Sequence, residues 1–225
     1  MLIAEAIRYS EILLAIAYAQ QSVEFIRGLK PEKILGYIRL ALSVLLLFNV
    51  QPMFIEAALL IIGCILLHRF QGPYCGGSDS MSILVLLCLF LARIAPTVFW
   101  QEVALGYLAF QLTFSYFQSG YIKIIHADWR SGRALTDVFA ITAYPVSEQV
   151  RRWAKSSRLM FLMSWAVILF ELLFPLSLVN RYAIIGALVI AMCFHFANAC
   201  LFGLNRFLWI WPSAYPVILW FQHRI

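Results

Sequence analysis

Long apolar runs separated by short polar segments constrain this chain more than any other feature. Residues 34–48, 53–67, 80–95, 98–125, 159–178, 182–201 and 207–221 are dominated by Leu, Ile, Val, Phe, Ala and Trp and carry few charges. An ordinary soluble domain is about half apolar and about one quarter charged. This chain is 63% hydrophobic and only 12% charged. A single soluble core cannot bury that much apolar surface, whereas a bilayer solvates it. Helices satisfy their own backbone polar groups there. The expected fold class is therefore an all-α polytopic membrane protein, a bundle of roughly six to eight transmembrane helices. No internal repeat, low-complexity tract or second domain is evident, so residues 1–225 read as one transmembrane domain.

The runs translate into candidate helices at Glu5–Arg27, Ile34–Phe48, Met53–Leu67, Ser80–Ala95, Val98–Ile125, Leu159–Leu178, Tyr182–Leu201 and Phe207–Phe221. The first is the most polar and either spans or lies at the interface. Val98–Ile125, at about 1.5 Å per residue, is over roughly 40 Å long and must tilt or project beyond the bilayer. The longest polar region follows it, from His126 to Arg158. Within that region, Val146–Lys155 places Val146, Val150, Trp153 and Ala154 opposite Glu148, Gln149, Arg151, Arg152 and Lys155, the pattern of an interfacial amphipathic helix.

Net charge is +6. In a soluble chain that would suggest a nucleic-acid partner; here the basic residues sit in short loops, where they set topology, and no nucleic-acid partner is expected. If every candidate helix crosses, one side holds Arg27, Lys30, Lys33, Arg69, Lys123, Arg130, Arg133, Arg151, Arg152, Lys155, Arg158 and Arg206. The other holds only Arg8, Arg93, Arg181 and Arg224. The bias predicts a cytoplasmic Lys123–Arg158 loop and both termini outside. The five cysteines show no CxxC pair or Cys/His metal spacing, and those in apolar runs read as small core residues, with Cys75 alone in a polar loop. No cleavable signal peptide or lipidation motif is expected.

Polar groups in or near apolar runs are the candidate functional positions: Arg39, Glu56, Glu102, Glu171, His195 and Asn198. Each should face the bundle interior or a water-filled cavity, because an unpaired charge in a membrane helix costs about 2.5 kcal/mol or more. His195 and Asn198 share a helix face, so they either orient one ligand or make an interhelical hydrogen bond. Glu171, one turn before Pro175, either satisfies a backbone group or pairs with a cation such as Arg39. Ser78 or Asp79 in the Gly76-Gly77-Ser78-Asp79 stretch can N-cap the following helix, or the glycines can admit a ligand. Lys123 and His126 are three apart near the end of a long helix. There Lys123 can serve as a base or simply reach towards lipid headgroups. Asp128 and Trp129 precede Arg130-Ser131-Gly132-Arg133, which reads as a turn anchored by an interfacial tryptophan.

The segment Tyr116–Arg133 also resembles the signature of the HTTM domain, the transmembrane domain of vitamin K-dependent γ-carboxylase and its small bacterial relatives. Gly120, Lys123, Asp128, Trp129 and Gly132 match that signature in order, with one extra residue between Lys123 and Ala127. Further likenesses follow the family's order: Gly76-Gly77-Ser78-Asp79 at the start of a helix, Glu171 through Pro175, and His195 through Phe207 with Gly203 and Leu204. Together they cover residues 70–220.

The resemblance implies that Lys123 is the base through which vitamin K hydroquinone and oxygen act in the carboxylases, and His126 has no counterpart. It implies a bacterial inner-membrane protein with a quinone-like or other lipophilic cofactor. It also departs from the carboxylases: the sequence ends at Ile225, without their large β-rich domain, and the charge bias places Lys123 on the opposite side of the membrane. Glutamate carboxylation is not expected of this chain alone. Some small bacterial members mature a secreted toxin peptide.

Two functions stay open. One is a lipid-facing enzyme of peptide or lipid modification, with Lys123 as base, and His195, Asn198, Glu171, Asp79 and Trp129 binding or orienting a ligand. The other is a non-catalytic accessory or structural subunit of a larger membrane complex. A transporter is disfavoured, since no internal repeat is visible.

Overall fold

The computed structural model describes residues 1–28, 30–69, 76–142 and 148–225, and every regular element among them is helical. In chain order these are α1 (Ile3–Ile26), α2 (Lys30–Leu47), α3 (Pro52–Arg69), α4 (Gly76–Ile94), α5 (Val98–Ile125), α6 (Ala127–Arg130), α7 (Arg133–Ile141), α8 (Glu148–Arg151), α9 (Ser157–Leu173), α10 (Arg181–Phe202), α11 (Asn205–Ile210) and α12 (Tyr215–Gln222). Short 3-10 segments occupy Arg152–Lys155, Phe174–Val179 and Trp211–Ala214. The all-α expectation holds among the described residues. Gly76–Ile94, Ser157–Val179 and Arg181–Phe202 are long and apolar enough to cross a bilayer, while Pro52–His68 is apolar but shorter.

Prolines set several boundaries, because proline lacks an N–H and collides with the carbonyl four residues back. Pro96 separates α4 from α5. The run expected as one helix over Phe207–Phe221 is instead α11, a 3-10 turn and α12, with Pro212 and Pro216 at the two junctions.

The chain divides into two compact units, one of Met1–Ala109 with Arg206–Ile225 and one of Phe110–Asn205. In the first, α1 is the hub: it packs against α2, α4, α12 and the Trp211–Ala214 turn. Ala6, Ser10, Ala15, Ala17 and Ser22 are small residues buried on α1. They permit close helix approach in the way usual for membrane bundles. The polar character of α1 is explained by what it buries. Glu11, fully buried, pairs with Arg8 at 3.2 Å and with Arg93. Arg93 Nε also lies 3.5 Å from Glu56 of α3. Arg8 donates to the Leu46 and Leu47 carbonyls at the end of α2, where Leu46 O also accepts from the Asn49 amide. Glu102 pairs with Arg224 in the same unit.

A second polar cluster of this unit involves Asp79. Arg206 reaches Glu24 at 3.0 Å and Asp79 at 3.3 Å. Arg39 donates to Gln21 Oε1 at 2.5 Å, and its guanidinium lies 4.0 Å from the centroid of the Tyr18 ring. Arg39 is therefore not the partner of Glu171. Because α4 begins at Gly76, Ser78 and Asp79 lie inside its first turn and do not cap it; the Asp79 carboxylate turns to Arg206 instead. Cys75 lies outside the described residues. Of the other cysteines only Cys88 is buried, and Cys64, Cys193 and Cys200 are exposed. The core assignment fails for these because outward faces of apolar helices also take apolar side chains when lipid is the solvent.

In the second unit, Leu135 and Phe139 of α7 pack with Met160 of α9, covered by Trp129, Val150, Ala154 and Leu159. Val146 lies outside the described residues. The rest of the expected amphipathic helix is α8 followed by the Arg152–Lys155 turn. Its apolar side rests on the protein: Val150 and Ala154 join the Phe139 cluster, and the Trp153 and Phe139 rings are 6.4 Å apart. The apolar side of α7, Leu135 and Phe139, is the surface it covers.

Candidate functional site

Within the second unit, α5 and α9 approach closely at Gly120. A Cβ at that position would sit 2.7 Å from the Leu172 amide nitrogen and 3.0 Å from Glu171 Cβ, distances that real contacts avoid. Glycine thus permits the approach. Lys123, three residues on and nearly one turn away, faces the same side. Its Nζ lies 2.7 Å and 3.0 Å from the two carboxylate oxygens of Glu171, and 3.4 Å from the Ser119 carbonyl. The Glu171 side chain is 4% exposed and that of Lys123 17%, so the pair is largely withdrawn from solvent. Gly120→Ala should therefore destabilise the protein by about 1–3 kcal/mol, as overpacking does. It should also loosen the ion pair. A double-mutant cycle with Lys123→Met, read by denaturant titration in detergent, should show the two changes to be non-additive.

Trp129 completes the immediate surroundings of Lys123. Its ring centroid is 5.3 Å from Nζ, within cation–π range. The ring is held by backbone ties to α9. Ser164 Oγ donates to the Trp129 carbonyl at 2.5 Å, and Trp165 Nε1 donates to the Arg130 carbonyl at 3.0 Å. Arg130 in turn donates to the Ile124 carbonyl at the end of α5, at 2.6 Å. The turn after α6 is made by Gly132, whose φ is +80°. The expected turn at Asp128–Arg133 is thus present, as a short helix and a left-handed glycine. Asp128 itself is exposed and lies 3.9 Å from Arg133. His126 does not share a face with Lys123: α5 ends at Ile125, and His126 is an extended, exposed residue before α6.

His195 is buried at 3% exposure, and its Nε2 is 2.8 Å from the Tyr116 hydroxyl. Tyr116 stacks on Phe174 with ring centroids 4.2 Å apart, and meets the Phe170 ring edge-on. Phe170 precedes Glu171 on α9, Phe174 opens the 3-10 segment that follows, and Tyr116 stands two turns before Lys123 on α5. The second unit therefore lines up Tyr116, His195, Glu171, Lys123 and Trp129 along the α5–α9–α10 packing. Asn198 is half-buried one turn beyond His195, and its side chain meets no hydrogen-bond partner among the described residues. Asp79 belongs to the Arg206 cluster of the first unit. Tyr116 was not expected as the partner of His195; a separation of 79 residues leaves no spacing signal. Among the described residues, no group of His, Cys, Asp and Glu could hold a metal ion.

Neither a curated protein nor a solved structure matches this chain. The family model of the HTTM domain does match, over residues 92–222. The matched stretch takes in Tyr116, Gly120, Lys123, Trp129, Gly132, Glu171, His195 and Asn198, and begins after Asp79. It spans more than half of the sequence and the whole of the second unit, and this chain belongs to the HTTM domain family.

Proposed function

We propose that the Lys123–Glu171 pair is the working site of a membrane protein that binds a lipophilic, quinone- or lipid-like ligand and acts in peptide or lipid modification, with Lys123 as base. The observation that carries this reading is a lysine amine held by both oxygens of a largely buried carboxylate beside an aromatic face. A proton taken up by Lys123 has an acceptor in hydrogen-bond contact, the geometry that general acid–base work requires. The flat face of Trp129 and the amine suit a ring that carries an ionisable hydroxyl. Bound there, a hydroquinone-class cofactor would supply the redox chemistry, while Lys123, Glu171 and Trp129 would hold it and move the proton. His195, through Tyr116, positions α5 against α10, and Asn198 offers an amide to a ligand. Asp79 would act at a distance from this chemistry, through the packing of α4 on α11.

The same reading takes the chain as one HTTM module of roughly six to eight transmembrane helices in a bacterial inner membrane. The Lys123–Arg158 segment would then lie on the cytoplasmic side. A second reading, an accessory subunit of a larger membrane complex, is favoured by one observation: Tyr182, Val189, Ile190 and Phe196 leave an apolar face of α10 exposed, which suits a partner helix as well as lipid.

Complementation of a deletion strain separates the two readings. Lys123→Ala should fail to restore the host phenotype even when its expression is raised until the membrane holds as much of it as of the wild type. Lys123→Arg should fail as well, since arginine keeps the charge but does not act as a base. A working Lys123→Ala variant, together with loss of a co-purifying partner on changing Val189 and Phe196 to serine, would establish the subunit reading instead.

A further inference from the structure

A groove of about 340 Å³ opens at the start of α9, lined by Ser131, Ser157, Arg158, Phe161 and Leu162. It lies in the second unit and involves neither Lys123 nor Glu171. Its lining combines Ser131, Ser157 and Arg158 with Phe161 and Leu162, which are 44% and 64% exposed. One turn further along α9 lies Trp165, and Leu169 a turn beyond it, so the apolar part continues down the helix from the groove. Because Ser157–Val179 is a candidate span, Arg158 stands where the span begins, at the level of phospholipid headgroups.

The charge around the groove indicates which headgroup suits it. Asp128 and Asp137 lie against Arg133, and Glu148 against Arg151. Arg130, Arg152, Lys155 and Arg158 have no carboxylate within 4.0 Å among the described residues. The surface is therefore positive on balance, and Arg158 is the basic residue that lines the groove. We infer that this groove is a binding site for one anionic phospholipid, its phosphate at Arg158 and Ser157 and an acyl chain along Phe161 and Leu162. A zwitterionic lipid fits the apolar stem equally well, but its own ammonium opposes the attraction of its phosphate to Arg158. A basic residue beside a span attracts anionic lipids, and one in contact with the headgroup contributes about fivefold.

Native mass spectrometry of the full chain, released from nanodiscs of phosphatidylcholine mixed with phosphatidylglycerol, tests this. The wild-type chain should retain one phosphatidylglycerol in preference to phosphatidylcholine. Arg158→Gln should reduce that retention by about fivefold. Arg152→Gln, an exposed residue of the same segment outside the lining, should leave it near the wild-type value. Retention unchanged by Arg158→Gln would overturn the site. Equal losses from both variants would overturn it too, by showing diffuse attraction to the basic surface.

Discussion

Lys123→Met alone should destabilise the protein by about 3–5 kcal/mol, the usual cost of leaving one member of a buried ion pair without its partner. Glu171→Leu alone should cost less. The reason is the difference in exposure: the Glu171 side chain is 4% exposed and has no route to water, whereas Lys123 at 17% can swing its amine outward along its flexible stem. The Lys123→Met/Glu171→Leu double variant should recover most of the loss, because apolar residues of similar volume often replace a buried pair without penalty. Denaturant titration of the four proteins in one detergent reads all three values. A double variant as unstable as Lys123→Met would mean that the pair has structural partners beyond those described.

Gly132→Ala is the second large effect. With φ at +80°, any residue bearing a Cβ is strained by about 1–2 kcal/mol. The new methyl would also lie 2.7 Å from the Phe161 amide nitrogen and 2.9 Å from the Met160 carbonyl carbon. Both contacts are with backbone, so no side-chain rotation relieves them, and overpacking adds roughly 1–3 kcal/mol. The turn would lift from α9. Trp129 and Arg130 would then lose their ties to Ser164 and Trp165, and the ring over Lys123 would move. Thermal unfolding should show a large drop, accompanied by a change in the tryptophan emission. Gly120→Ala, whose φ is ordinary, should be milder.

The apolar runs made the all-α fold and most of the long helices legible, since composition and run length speak directly to what a bilayer tolerates. Val98–Ile125 is observed with the bounds expected for it. The motif Gly120, Lys123, Asp128, Trp129 and Gly132 pointed to the family that the match over 92–222 establishes. What could not be read is long-range pairing. Glu171 had Arg39 or a backbone group as candidate partners, and its carboxylate meets Lys123, 48 residues away. Nothing local distinguishes those outcomes, because they depend on which helices pack. The same holds for Asp79, whose capping role was local and plausible but gave way to Arg206, 127 residues distant. His126 misled for another reason: the helical spacing that linked it to Lys123 stops one residue too early. The amphipathic pattern read over Val146–Lys155 covers α8 and the turn after it, while α7, over Arg133–Ile141, was passed over within the polar stretch from His126 to Arg158.

In the proposed function the Lys123–Glu171 pair does more than hold α5 to α9. The apolar double variant tests it most directly, since it removes the chemistry while preserving the packing. Wild-type and Lys123→Met/Glu171→Leu proteins, matched for thermal stability, would be purified from the same membrane. Each would be extracted with organic solvent, and the extracts compared by mass spectrometry. A lipophilic, non-phospholipid molecule should be present in the wild-type extract and absent from that of the double variant, which should fold but not complement a deletion strain. Identical extracts, together with full complementation by the double variant, would contradict it.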